Sequence, residues 1–155
     1  MCHLKPLLSI ALLGMLLGTQ ATAQALELSL PMQQASSGNF YIHATLNDRV
    51  ESDFLLDTGS GYVSLSAKTF NKLKTDSATV FQRNITGIMA NGKALSVPVY
   101  QIAELRLTPN CVLRDIEVAV FPHADRDILG LNALKRLQPF TMQMDPPMLT
   151  GSQCA

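Results

Sequence analysis

From Asn39 onward the chain breaks into short apolar runs separated by turn residues, and that rhythm rules out helical bundles and long-crossover α/β folds. Phe40, Ile42, Ala44 and Leu46 alternate with more polar neighbours, the period-two pattern of a half-buried strand. Asn47-Asp48 reads as a turn, and Val50–Leu56 resumes as a second strand to complete a hairpin. Val80–Met89 and Ala94–Tyr100 form another pair around Asn91-Gly92, a dipeptide that tolerates the positive φ of a tight hairpin. Ile102–Leu107 and Val112–Phe121 follow, with Thr108-Pro109-Asn110 between them as a turn. Phe140–Met144 is a last strand, after which Pro146-Pro147 is expected to end regular structure. Helical spacing is confined to Ala67–Lys74 and Leu131–Leu137, each good for one short helix. The pattern predicts an all-β barrel or sandwich.

The first residues read differently. Lys5 precedes the apolar run Leu7 to Leu17, and Ala21-Thr22-Ala23 supplies a small-residue cleavage site. That is the layout of a secretory signal peptide, and the run is short of the roughly 20 residues that span a bilayer. Residues 1–23 are therefore expected to leave on export to the periplasm or beyond; retention as a membrane anchor is the alternative. Residues 24–38 read as a polar, turn-rich lead-in, 39–145 as the domain and 146–155 as a tail. Without Lys5, 11 basic residues face 12 acidic ones, and the cations are scattered, so nucleic acid and anionic membrane are poor partners. Cys111 and Cys154 remain after cleavage. In an exported chain they are a candidate disulfide, with two free thiols or a bridge between chains as the other readings. Closing that loop stabilises a fold by roughly 4 kcal/mol through chain entropy. The cysteines and His43 and His123 lack any ligand spacing, so no metal site and no cofactor is expected.

The chemistry is concentrated in Phe54-Leu55-Leu56-Asp57-Thr58-Gly59-Ser60. An apolar strand delivers a carboxylate to a tight turn, where glycine permits close backbone approach. The Thr58 and Ser60 hydroxyls are placed to orient the carboxylate by donating hydrogen bonds. The bland reading of the same residues is a strand ending in an Asp-capped turn.

This stretch resembles the active-site loop of the aspartic peptidases, hydrophobic-hydrophobic-Asp-Thr-Gly-Ser/Ala/Thr. Asp127-Ile128-Leu129-Gly130-Leu131-Asn132-Ala133-Leu134 resembles the same family's apolar-apolar-Gly segment, which packs beside the catalytic loop and leads into a short helix. Met89, Ala90, Asn91 and Gly92 lie between the two, where the family carries its flexible flap. Together with the signal segment, these features look like the bacterial exported branch of the retropepsin-like peptidases, over roughly Asn39 to Met144. The resemblance implies a closed acid-protease barrel with one short helix after Ile128-Leu129-Gly130. It makes Asp57 the catalytic residue, with Thr58 bracing a partner loop, Gly59 meeting substrate backbone and Ser60 holding the outer oxygen of Asp57. Two departures bear on the dimer rather than the chemistry. Gly61-Tyr62-Val63 replaces the acidic residues that follow the viral loop, and Leu131 stands where viral members carry Arg.

Peptide hydrolysis on this plan needs two carboxylates sharing one proton, one acting as base and the other as acid. Two such charges about 3 Å apart repel by roughly 5.5 kcal/mol at an effective dielectric near 20, so one proton stays. The chain has a single Asp-Thr-Gly. A twofold homodimer would supply the second Asp57. The expected partners are thus a second copy and an extended peptide or protein substrate, with the membrane a partner only if the signal segment is kept. The competing reading is a non-catalytic peptide-binding module of the same fold.

Overall fold

The computed structural model describes residues 28–89, 92–151 and 154. The expected signal segment 1–23 and the flap residues Ala90 and Asn91 lie outside these. Eleven strands, two short helices and one 3-10 turn are present among the described residues. In chain order they are β1 (Leu28–Pro31), β2 (Gln33–Gln34), β3 (Phe40–Leu46), β4 (Val50–Leu56), β5 (Val63–Ser66), α1 (Ala67–Leu73), β6 (Thr79–Ile88), β7 (Ala94–Thr108), β8 (Cys111–Phe121), β9 (Asp127–Leu129), α2 (Leu131–Leu134), the 3-10 turn Lys135–Leu137, β10 (Phe140–Met144) and β11 (Pro147–Gly151).

Local chemistry explains most of these boundaries. Asn47 and Asp48 both hold positive φ, 46° and 51°, which two-residue hairpin turns require and these side chains tolerate. Helix α1 starts where the Ser66 hydroxyl accepts the Thr69 amide, and it buries Thr69 and Leu73, four residues apart on one face. Gly92, at φ 78°, turns the β6–β7 hairpin, with its amide donating to the Met89 carbonyl at 2.8 Å.

The main sheet closes on itself. Strands run in the order β3-β4-β9-β5-β8-β7, and β7 returns to β3 through Thr45↔Arg106 and Leu46↔Leu105. This six-stranded barrel is the expected all-β closed acid-protease architecture. Ile42, Leu46, Phe54, Leu65, Ile102, Leu105, Leu113, Leu129 and Leu134 fill the core and are fully or almost fully buried. Each such side chain contributes roughly 2 kcal/mol relative to its exposed state. Beyond the closure, β6 and the first half of β7 project as a long hairpin, with Ile88 paired to Ala94 at its far end.

Four expectations need correction. Residues 24–38, read as a lead-in, supply β1 and β2, and Leu28, Leu30 and Met32 are buried in the core. Pro146-Pro147 does not end regular structure. Pro146 occupies the turn and Pro147 the first position of β11, where a missing amide breaks no ladder. β11 then lies between β1 and β10 in a three-stranded sheet, so part of the segment read as tail is tightly held. Ile102–Leu107 is not a separate strand either, since β7 runs unbroken through it. Helix α1 falls where the Ala67–Lys74 spacing predicted a short helix and accompanies the one after Gly130. Of the readings left open for the cysteines, the internal one holds: Cys111 and Cys154 are joined, with Cα atoms 5.3 Å apart. The bond anchors the end of the chain to β8.

Candidate active site

Asp57 leaves the end of β4 at the point where that strand is gripped from both sides. β3 pairs antiparallel on one edge and β9 parallel on the other, with Leu56 opposite Leu129. The Asp57 amide continues the ladder by donating to the Leu129 carbonyl at 3.2 Å. The chain then turns, the Ser60 amide donating to the Asp57 carbonyl at 3.3 Å. The Asp57 side chain is half-buried, and its Oδ1 accepts the Gly59 amide at 2.8 Å. A carboxylate fixed by a backbone donor keeps its orientation without spending a side-chain rotor.

Ser60 does not hold Asp57 within this chain. Its hydroxyl donates to the Tyr62 carbonyl at 2.9 Å and so stiffens the loop instead. The reason lies in the turn, which folds residues 60–62 back on themselves and leaves the Gly59 amide nearest the carboxylate. Thr58 is exposed, and its hydroxyl takes no partner among the described residues.

The segment Ile128-Leu129-Gly130 locks this loop. Leu131 and Asn132 donate their amides to the carbonyls of Ser60 and Gly61, at 2.8 and 3.1 Å. A Cβ on Gly130 would sit 2.1 Å from the Tyr62 carbonyl oxygen and 2.8 Å from that of Ser60. Only glycine fits. Asn132 adds a side-chain staple, accepting the Val63 amide at 2.7 Å and donating to the Glu117 carbonyl at 2.8 Å.

Beneath the loop lies a group that sequence reasoning did not assign. Asp127 is buried, yet its carboxylate is saturated by the hydroxyls of Ser52 and Thr69 and by the Ser66 amide at 2.7 Å. It thereby ties β4, β5 and α1 to β9. The only local signal was an acid directly before an apolar-apolar-Gly run. Asp127→Ala is expected to destabilise the fold by about 3 kcal/mol, because buried donors lose their acceptor. A urea midpoint equal to that of the unchanged protein would show the contacts to be dispensable.

A cleft of about 500 Å³ opens over Asp57. Asp57, Gly59, Ser60, Ser64 and Ile128 line its floor, Ile88, Met89 and Leu95 of the β6–β7 hairpin its roof, and Phe121, Pro122, His123, Ala124 and Arg126 its wall. Met89 is thus where the flap was expected, whereas Gly92 shapes the hairpin tip. His123, read as an ordinary loop residue, lines the cleft. The hairpin is braced at its base by Arg83, which grips Glu117 of β8 with two nitrogens and reaches the Tyr62 hydroxyl at 3.2 Å. That contact holds the Glu117 carboxyl below its usual range and raises the Arg83 guanidinium above its own.

A closed barrel with one Asp-Thr-Gly loop, an interlocked Ile-Leu-Gly segment and an overhanging hairpin defines the retropepsin-like aspartic peptidase fold. The family model described as "gag-polyprotein putative aspartyl protease" matches residues 42–136, and the chain belongs to that family of retropepsin-like aspartic peptidases. Among solved structures, the chain is similar to a retropepsin-like aspartic protease from Rickettsia conorii. The two share 23% identity and superpose with a TM-score of 0.61, over 80% of this chain and 97% of that one. A comparison with curated proteins returns no match.

Proposed function

We propose that this chain is an exported aspartic endopeptidase that hydrolyses peptide bonds as a homodimer. The observation that carries the reading is Asp57. It is an oriented, half-exposed carboxylate on the floor of a largely apolar cleft, and the only carboxylate among the residues lining it. One acid cannot serve as base and acid together, so a second copy must bring its own Asp57 across a twofold axis. The exposed, unpartnered Thr58 hydroxyl suits a contact across that axis.

In the dimer, the ionised Asp57 takes a proton from a water held between the two carboxylates. The water oxygen bonds to the scissile carbonyl carbon while the protonated partner acid donates to the carbonyl oxygen. Collapse of the tetrahedral species breaks the C–N bond, and a proton passes to the leaving nitrogen, giving a free carboxyl and a free amine. The β6–β7 hairpin covers the peptide and keeps bulk water out. The substrate binds extended, its main chain pairing with hairpin and cleft strands, and apolar side chains flank the cut. Export is supported by the signal-like residues 1–23 and by the Cys111–Cys154 bond, which suits an oxidising compartment.

The test is molecular mass in solution, with and without a peptide mimic of the tetrahedral intermediate, alongside cleavage of a peptide library. A dimer with the mimic bound, together with cleavage, is the expected result. A monomer under both conditions rejects the dyad. Tight peptide binding without turnover would instead identify a binding module.

A further inference from the structure

The cleft described above is lined mostly by apolar side chains but also by the cation Arg126, and the peptidase reading assigns that charge no role. Arg126 lines the cleft together with His123, three and six residues before Leu129. Because Leu129 accepts the Asp57 amide, Arg126 stands about 10 Å or less along the chain from the level of the catalytic loop. That separation is at most about three residues of an extended peptide. The Arg126 guanidinium is only partly occupied. Its Nε donates to Asp125 Oδ1 at 3.0 Å, with the two side chains 46% and 80% exposed. An exposed pair of neighbours of this kind holds an arginine weakly. Tyr41 makes a lesser contact with the same group. The N–H groups not engaged by Asp125 or Tyr41 keep the planar geometry that matches a carboxylate.

Resting on the peptidase reading, we infer that Arg126 is a specificity-determining residue that selects an acidic side chain within about three positions of an apolar cleavage site. His123 lies beside it as a further N–H donor. The apolar residues Ile88, Met89, Leu95 and Phe121 take the hydrophobic side chain nearest the cut, while Arg126 pairs with the acid. In a twofold dimer each half of the cleft carries one Arg126, so the preference appears on both sides of the scissile bond. Asp57 lies across the cleft floor and disfavours an acid at the scissile position itself.

The experiment separates this inference from the reading beneath it. Short fluorescein-labelled peptides carry two central leucines joined by an uncleavable hydroxyethylene isostere, with Glu, Gln or Lys at each of the three flanking positions on either side. Binding is followed by fluorescence anisotropy for the wild-type protein, Arg126→Gln and Arg126→Glu, with urea midpoints confirming that the variants are folded. At one flanking position on each side, Glu is expected to bind about tenfold more tightly than Gln, the worth of one charge-assisted contact. Arg126→Gln should abolish that ratio, and Arg126→Glu should turn the preference toward Lys. Equal affinity for Glu and Gln peptides overturns the inference, as does a Glu preference that survives in Arg126→Gln, or failure to bind any of the peptides. Hydrolysis of the corresponding amide peptides by the wild-type protein is scored separately. Its absence rejects the peptidase while the affinity ratios still decide the role of Arg126.

Discussion

Asp57→Asn is expected to fold and to pair as the unchanged chain does, while losing peptide hydrolysis by about a thousandfold or more, within the range that general acid–base catalysis supplies. The amide keeps the shape of the side chain and an oxygen for the Gly59 N–H, so the loop retains its internal hydrogen bond. What it lacks is a site that takes a proton from water. With asparagine from both copies on the axis, neither base nor acid remains. Replacing two acids that must share a proton also removes the cost of crowding them together, so the dimer should be no weaker. Turnover of a fluorogenic peptide and mass in solution are the two measurements. A variant that cleaves at the wild-type rate would remove Asp57 from the chemistry.

Gly130→Ala is expected to have the largest effect on the fold itself. The added methyl would overlap the Tyr62 carbonyl, which is backbone and cannot rotate away. The segment after β9 would have to separate from the catalytic loop by more than an ångström. That movement breaks the bonds from the Leu131 and Asn132 amides to Ser60 and Gly61. A loss of about 5 kcal/mol is expected, at the exceptional end for a single substitution. Thermal unfolding should show it as a melting temperature lower by more than about 10 °C, or as failure to fold. Alanine at Gly61, where an added Cβ meets nothing within 4 Å, is the control and should be mild. Equal melting temperatures for Gly130→Ala and the unchanged chain would show that the loop and the Ile-Leu-Gly segment are not interlocked.

Much of the site was legible beforehand because its signals are local. A strand followed by Asp57-Thr58-Gly59 requires only neighbouring residues to make its turn. Asn47-Asp48 and the Asn91-Gly92 region mark reversals by their tolerance of positive φ. The Ile128-Leu129-Gly130 segment announces itself by composition. Other features were hidden because they depend on residues far apart in sequence. β1 looked like a lead-in because four residues of strand carry little pattern, and its burial depends on β11, with Leu28 opposite Gly151. The Ser60 hydroxyl was assigned to the carboxylate, but the actual path of the turn gave it to Tyr62. Asp127 had no role in the sequence reading, because the three donors that converge on it come from β4, β5 and α1. Arg126 and His123 had no motif to mark them.

By itself the sequence determined which group can do chemistry and which stretches become strands, since side-chain type and near-neighbour spacing act within a few residues. Only the tertiary structure decided what surrounds that group: the amide that orients it, the glycine contact that holds its loop, the arginine that lines its cleft. Those are matters of which distant strands lie side by side. Strand pairing joins residues separated by most of the chain, and its register is set by collective packing that no short window of residues contains.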